Sequence, residues 1–228
     1  MKHKLELIYF KMRALAEAPR LLFHYTNIEY DDLMSWDYYG KEWSEVKSQV
    51  PFKQLPMIVV DDKYEICQSI AILNYIENVA GLKLKDPIEE AKASSILQSA
   101  QELFLPLNPA VNFAVGDDFK KRRDDMKPFL MSRFEDLEKI LKSNEMKFFI
   151  DDTPRACDFA AFHHLDISKK LDNSLISKFP RLEEFLNDIN SIDTVKNYLS
   201  QRPDLIDVSI EPKLVIDGKA HSTGTTKT

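Results

Sequence analysis

Two short stretches constrain this chain more than any others. The run Pro51-Phe52-Lys53-Gln54-Leu55-Pro56-Met57-Ile58-Val59-Val60 turns apolar directly after a proline, and Cys67-Gln68-Ser69-Ile70-Ala71-Ile72 sets a polar pair at the head of an amphipathic segment. Pro56 has no backbone N–H to give to a ladder, so it suits the first residue of a strand. Leu55 before it is driven toward extended geometry and keeps its own N–H and C=O for another partner. Gln68 and Ser69 fall where the unsatisfied N–H groups of a helix start face an anion. A strand entered through Leu55-Pro56 and a helix entered through Gln68-Ser69 outline a pocket for a small, peptide-like molecule with a carboxylate.

The rest of the first third fits around that hairpin. Lys4 to Phe10 alternates and predicts a strand; Leu21, Leu22 and Tyr25 have helical spacing and predict a helix over 16–25. Glu29 to Leu33 reads as a short strand and Tyr39 to Val50 as a weakly helical, aromatic-rich connection. Met57–Val60 and Tyr64–Cys67 form a hairpin about Asp61-Asp62-Lys63, and Gln68–Val79 a helix. That order predicts a small mixed sheet with helices on its faces. A break at Ala80 to Pro87 follows, and beyond it the pattern is helical: 88–107, with Pro106 and Pro109 bending or ending it, then 119–141, 154–171, 180–192 and 195–201. The 154–171 segment is apolar nearly all round, as a buried central helix would be. Thr153-Pro154 reads as its cap and first position, with Asp158 fixing its start. From 203 the periodicity is lost, and Gly218 to Thr228 is polar and expected to be disordered.

Composition narrows the function. The chain has 228 residues, 44% of them hydrophobic, and a net charge of -6, which argues against a nucleic-acid surface. No apolar run reaches roughly 18 residues, so no membrane span is expected. The start, with Glu6 inside its short apolar stretch, reads as a strand and not as a signal peptide. Cys67 and Cys157 stand far apart with apolar neighbours, as buried thiols of a reducing cytosol would. His163-His164 point about 100° apart on a helix with no third ligand at i+4, so no metal is expected. Lys120-Lys121-Arg122-Arg123 opens an amphipathic helix beside Asp124-Asp125 and reads as a solvated face.

Five motifs in order carry a family resemblance: Tyr9-Phe10-x-x-Arg13-x-x-Ala16-Glu17, Trp43-x-x-Val46-Lys47, Phe52-x-Gln54-Leu55-Pro56, Gln68-Ser69-Ile70-Ala71-Ile72 and Cys157-Asp158-Phe159. Over residues 4–203 the chain resembles the cytosolic glutathione transferases, specifically the sigma-like branch that includes haematopoietic prostaglandin D synthase and helminth and arthropod enzymes. The resemblance implies an α/β thioredoxin-like N-terminal domain (1–80) that binds glutathione, an all-α C-terminal domain (87–203) and a C-terminal extension (204–228). The chain departs from the pattern at Ala14 and Lys53, where the family has Gly, at Leu15, often an Arg reaching glutathione, and at Arg155, usually a capping Ser or Thr.

The resemblance also implies the site. Tyr9, ending the first strand, would donate its phenol to the glutathione sulfur and stabilise the thiolate. Leu55, before a cis Pro56, would pair its backbone with the cysteinyl unit; Gln68 and Ser69 would bind the γ-glutamyl end. Trp43 and Lys47 resemble the pair at the glycine end, with core packing and solvated charge as the alternative. Gln54 would hold backbone or ligand. Arg13 counts among the site residues, though a tie between the first helix and the second domain suits it better. Lys53 lies on the binding loop. Glu102 stands where related dimers carry an Asp reaching the partner's glutathione amine. Phe10 and Leu15, with Met12, Phe104 and Leu107, would line an apolar site for a hydrophobic electrophile.

The expected protein is thus a cytoplasmic homodimeric transferase using glutathione as co-substrate and no metal. It would conjugate electrophiles, with glutathione-dependent isomerase or peroxidase chemistry as variants. The alternative is a non-catalytic, crystallin-like relative. Tyr9, Gln68 and Ser69 favour the enzyme, and the loss of Arg at Leu15 favours the relative.

Overall fold

The first strand, β1 (Leu5–Tyr9), is buried along its whole length and lies inside a four-stranded sheet. In the computed structural model, which describes residues 3–112, 114, 116–203, 205, 215–216 and 219–220, the strand order is β2 (Asp31–Met34), β1, β3 (Met57–Val60), β4 (Tyr64–Cys67). β1 pairs parallel to β2 and antiparallel to β3, and β3 and β4 form the expected hairpin. A parallel neighbour demands a crossover, supplied by α1 (Glu17–Thr26). Helix α1 packs on α4 (Ser69–Val79), while α2 (Ser35–Tyr39) contacts β1 and β2 and leads into the single turn α3 (Trp43–Val46).

The second part is helical, with α5 (Pro87–Glu102), α6 (Phe104–Asn112), α7 (Gly116–Asn144), α8 (Ala156–Leu171), α9 (Pro180–Asn190) and α10 (Asp193–Gln201). The 88–107 segment is two helices parted at Leu103. The Pro106 ring would meet the carbonyl of Glu102, the last residue of α5, so Pro106 marks the end of that helix as expected, whereas Pro109 falls inside α6, which continues to Asn112. Pro128 is tolerated inside α7, which is longer than its apolar pattern suggested. Helix α8 is the buried centre, with residues 154–165 all buried, and it packs against α5, α1 and α9.

Its start differs from expectation. Arg155 and not Thr153 is the N-cap, and the helix opens two residues later than Pro154. Asp158 does fix this start: its carboxylate accepts the Arg155 N–H at 2.8 Å and the Phe149 N–H at 2.9 Å. Glu77, from α4, accepts a further N–H of this first turn, that of Ala156, at 3.2 Å. The Arg155 guanidinium turns outward to the Leu82 carbonyl and Asp151. Cys67 and Cys157 are buried free thiols, as expected. Most of the 204–228 extension lies outside the described residues, which include a short ladder of Val215–Ile216 with Lys219–Ala220.

One feature of the interior was not anticipated. Glu17, fully buried at the head of α1, faces Arg13 at 3.4 Å, Arg20 at 3.7 Å and Arg202 at 2.8 Å, and accepts the Tyr198 hydroxyl at 3.1 Å. Arg13 continues to Asp166 of α8 at 2.9 Å; Arg20 holds both oxygens of Asp32 in β2 and donates to the Met12 carbonyl. Burial pushes the Glu17 carboxyl up, but Arg13, Arg20 and Arg202 overcome it and hold it below the usual carboxylate range. A carboxyl depressed in the folded state contributes stability that is present above its unfolded pKa and lost as pH falls through the folded value. Glu17→Gln is therefore expected to cost roughly 3–5 kcal/mol in urea unfolding at neutral pH. The loss relative to wild type should shrink on acidification.

Candidate active site

The sheet register assembles the site. Ile8 lies opposite Met57, and Met57 opposite Cys67, across β1, β3 and β4. The next residues outward along this edge are Tyr9, Pro56 and Gln68, from three distant stretches of chain. The fourth strand adds Met34, paired with Tyr9, from which the chain enters α2 and α3. Trp43 opens α3, and Phe10 bridges it to Tyr9: the Phe10 ring lies 5.3 Å from Tyr9 and meets Trp43 edge-on at 5.4 Å. Lys47 donates its backbone N–H to the Trp43 carbonyl, so the two stand one turn apart as their spacing implied. Lys47 is exposed and Trp43 half-buried against Phe10.

Tyr9 is 4% exposed, and its hydroxyl oxygen accepts the Leu15 N–H at 3.4 Å. Burial pushes the phenol up to about 12, against the lowering influence of the Leu15 N–H and the Arg20 guanidinium, whose centre lies 6.0 Å from the ring. The group is thus a neutral O–H donor, with one lone pair already used by the backbone. Leu15, half-buried, meets Tyr9 through its backbone N–H, a contact its side-chain type could not reveal.

The Leu55–Pro56 bond is cis, as expected. Gln68 is the N-cap of α4 at φ 75°, and its amide donates to Gln54 at 3.2 Å, so Gln54 serves its neighbour here. Ser69, 7% exposed, opens the helix. Its Oγ accepts the Gln101 amide at 2.8 Å, and the Gln101 oxygen meets His164 Nε2 at 2.8 Å. Gln101 was not singled out from sequence, where the one signal available was that it adjoins Glu102, and His164 was weighed there only as half of a metal-binding pair with His163.

The other candidates are placed differently. Arg13 is 1% exposed, and its guanidinium ties α1 to α8 through Asp166, the role its position favoured over substrate binding. Glu102 is half-exposed at the end of α5 and pairs with Arg133 of α7 at 3.3 Å. Of the residues expected to line an electrophile site, Phe10, Leu15 and Phe104 are partly exposed, while Met12 and Leu107 are 6% and 2% exposed in the core. Ala14 and Lys53, standing where glycine was expected, have φ 31° and 54°, the left-handed region glycine enters freely. The backbone demanded by glycine persists without it, and each side chain there carries a cost of about 1–2 kcal/mol. Lys53 itself is exposed. His163 and His164 form no metal-binding group among the described residues.

Known proteins agree with this architecture. Residues 5–78 match the family profile described as glutathione S-transferase, N-terminal domain, and residues 107–202 that of the C-terminal domain. Glutathione S-transferase 4 of Caenorhabditis elegans is 32% identical over 206 residues, covering 88% of this chain and 98% of that protein. Hematopoietic prostaglandin D synthase of Gallus gallus is 28% identical over 204 residues, covering 87% of this chain and 96% of that protein. A monomeric glutathione S-transferase from the hookworm Necator americanus superposes with a TM-score of 0.76 at 26% identity, over 88% of this chain and 98% of that one. With a thioredoxin-like sheet followed by a helical domain, matched in both halves, the chain belongs to the glutathione S-transferase family of enzymes, as a divergent member with sigma-like relatives.

Proposed function

We propose that this enzyme binds glutathione along the edge of the sheet and activates its thiol through Tyr9 for attack on a hydrophobic electrophile. The observation that carries this reading is the convergence of a protonated phenol, the Leu55–Pro56 turn and the head of α4 on one edge. A thiol like that of free cysteine titrates near ~8.5 and is mostly protonated at neutral pH. The Tyr9 oxygen accepts from Leu15 and keeps its hydrogen to donate to sulfur, which favours the thiolate. The free backbone of Leu55 would read the cysteinyl amide. Gln68 and Ser69, with the N–H groups opening α4, would hold the γ-glutamyl carboxylate and amine, and Trp43 and Lys47 the glycine end.

Residues 1–80 are then the glutathione-binding domain, 87–203 the helical domain and 204–228 an extension. The electrophile would lie on Phe10, Leu15 and Phe104; conjugation is the primary reaction, with isomerase or peroxidase chemistry following from the same thiolate. Retention of Tyr9, Gln68 and Ser69 supports catalysis over a crystallin-like role. Among the described residues no helix is long and apolar enough to cross a membrane, and the buried free thiols suit a cytoplasmic setting.

Tyr9→Phe is expected to keep the fold and glutathione binding but to slow conjugation by about 10²-fold. The thiol pKa of bound glutathione, followed by ultraviolet absorbance, should rise by about two units. An unchanged rate and pKa would remove Tyr9 from the reaction. Ser69→Ala is expected to weaken glutathione binding by roughly 1.5–3 kcal/mol in calorimetry, with a smaller effect on turnover of bound substrate. Equal affinities would sink that assignment.

Assembly follows from the same frame. We propose a two-fold homodimer in which Phe52, 73% exposed on a loop at φ 57°, projects toward the partner and Glu102 approaches the partner's bound glutathione. Sedimentation equilibrium at micromolar concentration should give a dimer for wild type and a weakened one for Phe52→Ser; a monomeric wild type refutes it.

A further inference from the structure

The polar chain running from Ser69 into the helical domain has a direction. Ser69 Oγ accepts from Gln101 Nε2, and no acceptor among the described residues takes the Ser69 hydroxyl hydrogen. Gln101 Oε1 in turn meets His164 Nε2, and His164 is 1% exposed. The alternative arrangement turns the Gln101 amide over: Ser69 would donate to Gln101, Gln101 would donate to His164 Nε2, and the imidazole proton would move to Nδ1. That nitrogen is buried with no hydrogen-bond partner. An N–H stranded there costs more than a bare lone pair, because orphaned buried donors are the rarer and more expensive case. The proton therefore belongs on Nε2, the Gln101 oxygen faces His164, and the Gln101 amide faces Ser69. Burial, with Arg13 nearby, keeps the ring neutral by pulling its pKa down to about 3, so the ring has a single proton to place.

We propose that Gln101 and His164 are positioning residues: they occupy the lone pair of Ser69 and leave its O–H aimed at the carboxylate of bound glutathione. The inference rests on the reading of Ser69 as a carboxylate donor. It makes a group on α8 of one domain set the polarity of a ligand group on α4 of the other, through one amide of α5.

The test is a double-mutant cycle read by calorimetry of glutathione binding and by kcat at saturating glutathione. Gln101→Met, at a half-buried position, is expected to raise Kd roughly tenfold while leaving kcat within about twofold. In the Ser69→Ala background the same change should move Kd by less than about twofold, because the hydroxyl it orients is gone. Equal weakening in both backgrounds, or none in wild type, overturns the proposal while leaving the Ser69 reading intact. An unaltered affinity for Ser69→Ala overturns both. Nitrogen chemical shifts of histidine in the wild-type protein give a measurement independent of any variant's folding. An Nε2–H tautomer for His164 supports the proposal and an Nδ1–H tautomer refutes it.

Discussion

A single buried carboxylate organises much of this molecule. Glu17 carries one negative charge into a site walled by three guanidinium groups and a tyrosine hydroxyl. Each arginine reaches a different element: Arg13 continues to α8, Arg20 to β2 and the Met12 carbonyl, and Arg202 follows α10. Charges taken out of water are tolerated only when fully paired, so the position of each element is set by the demand that none be stranded. Tyr9 inherits that order, since Arg20 lies near its ring and the 14–16 turn, whose Leu15 N–H meets the phenol, runs directly into Glu17.

The site uses few special parts. Three strand ends brought to one edge by register do most of the positioning, and the residues there differ in how they are held. Tyr9 is immobilised by burial and ring packing, Ser69 by a hydrogen-bonded chain, Gln68 by its place at a helix cap. Trp43 and Lys47 sit on a short helical turn closer to solvent.

Much of this was legible in the residues. Alternation marked β1, the Asp61-Asp62-Lys63 turn marked the hairpin, and proline positions marked the division between α5 and α6. The Leu55-Pro56 and Gln68-Ser69 pairs were legible because their backbone chemistry is local. Three things were not. The start of α8 is set by Asp158 at the Arg155 N–H and not at Thr153-Pro154, and its first turn is completed by Glu77, a partner far away in sequence. The Glu17 cluster joins residues up to 185 positions apart, and no spacing rule reports it. Ala14 and Lys53 looked like losses, yet both keep left-handed backbone, because the surrounding turns over-determine a conformation the side chains themselves disfavour.

The segment at Ala80–Pro87 divides the chain in composition and in fold, yet it does not divide it energetically. Glu77 at the end of α4 closes the first turn of α8, Arg155 at the head of α8 holds the Leu82 carbonyl of the connection, and Arg13 meets Asp166. Separating the halves would strand a carboxylate, a helix terminus and a guanidinium at once, alongside the apolar faces of α1 and α8. Opening either half would expose these groups on the other, so the two are expected to melt together as one cooperative unit despite their two architectures.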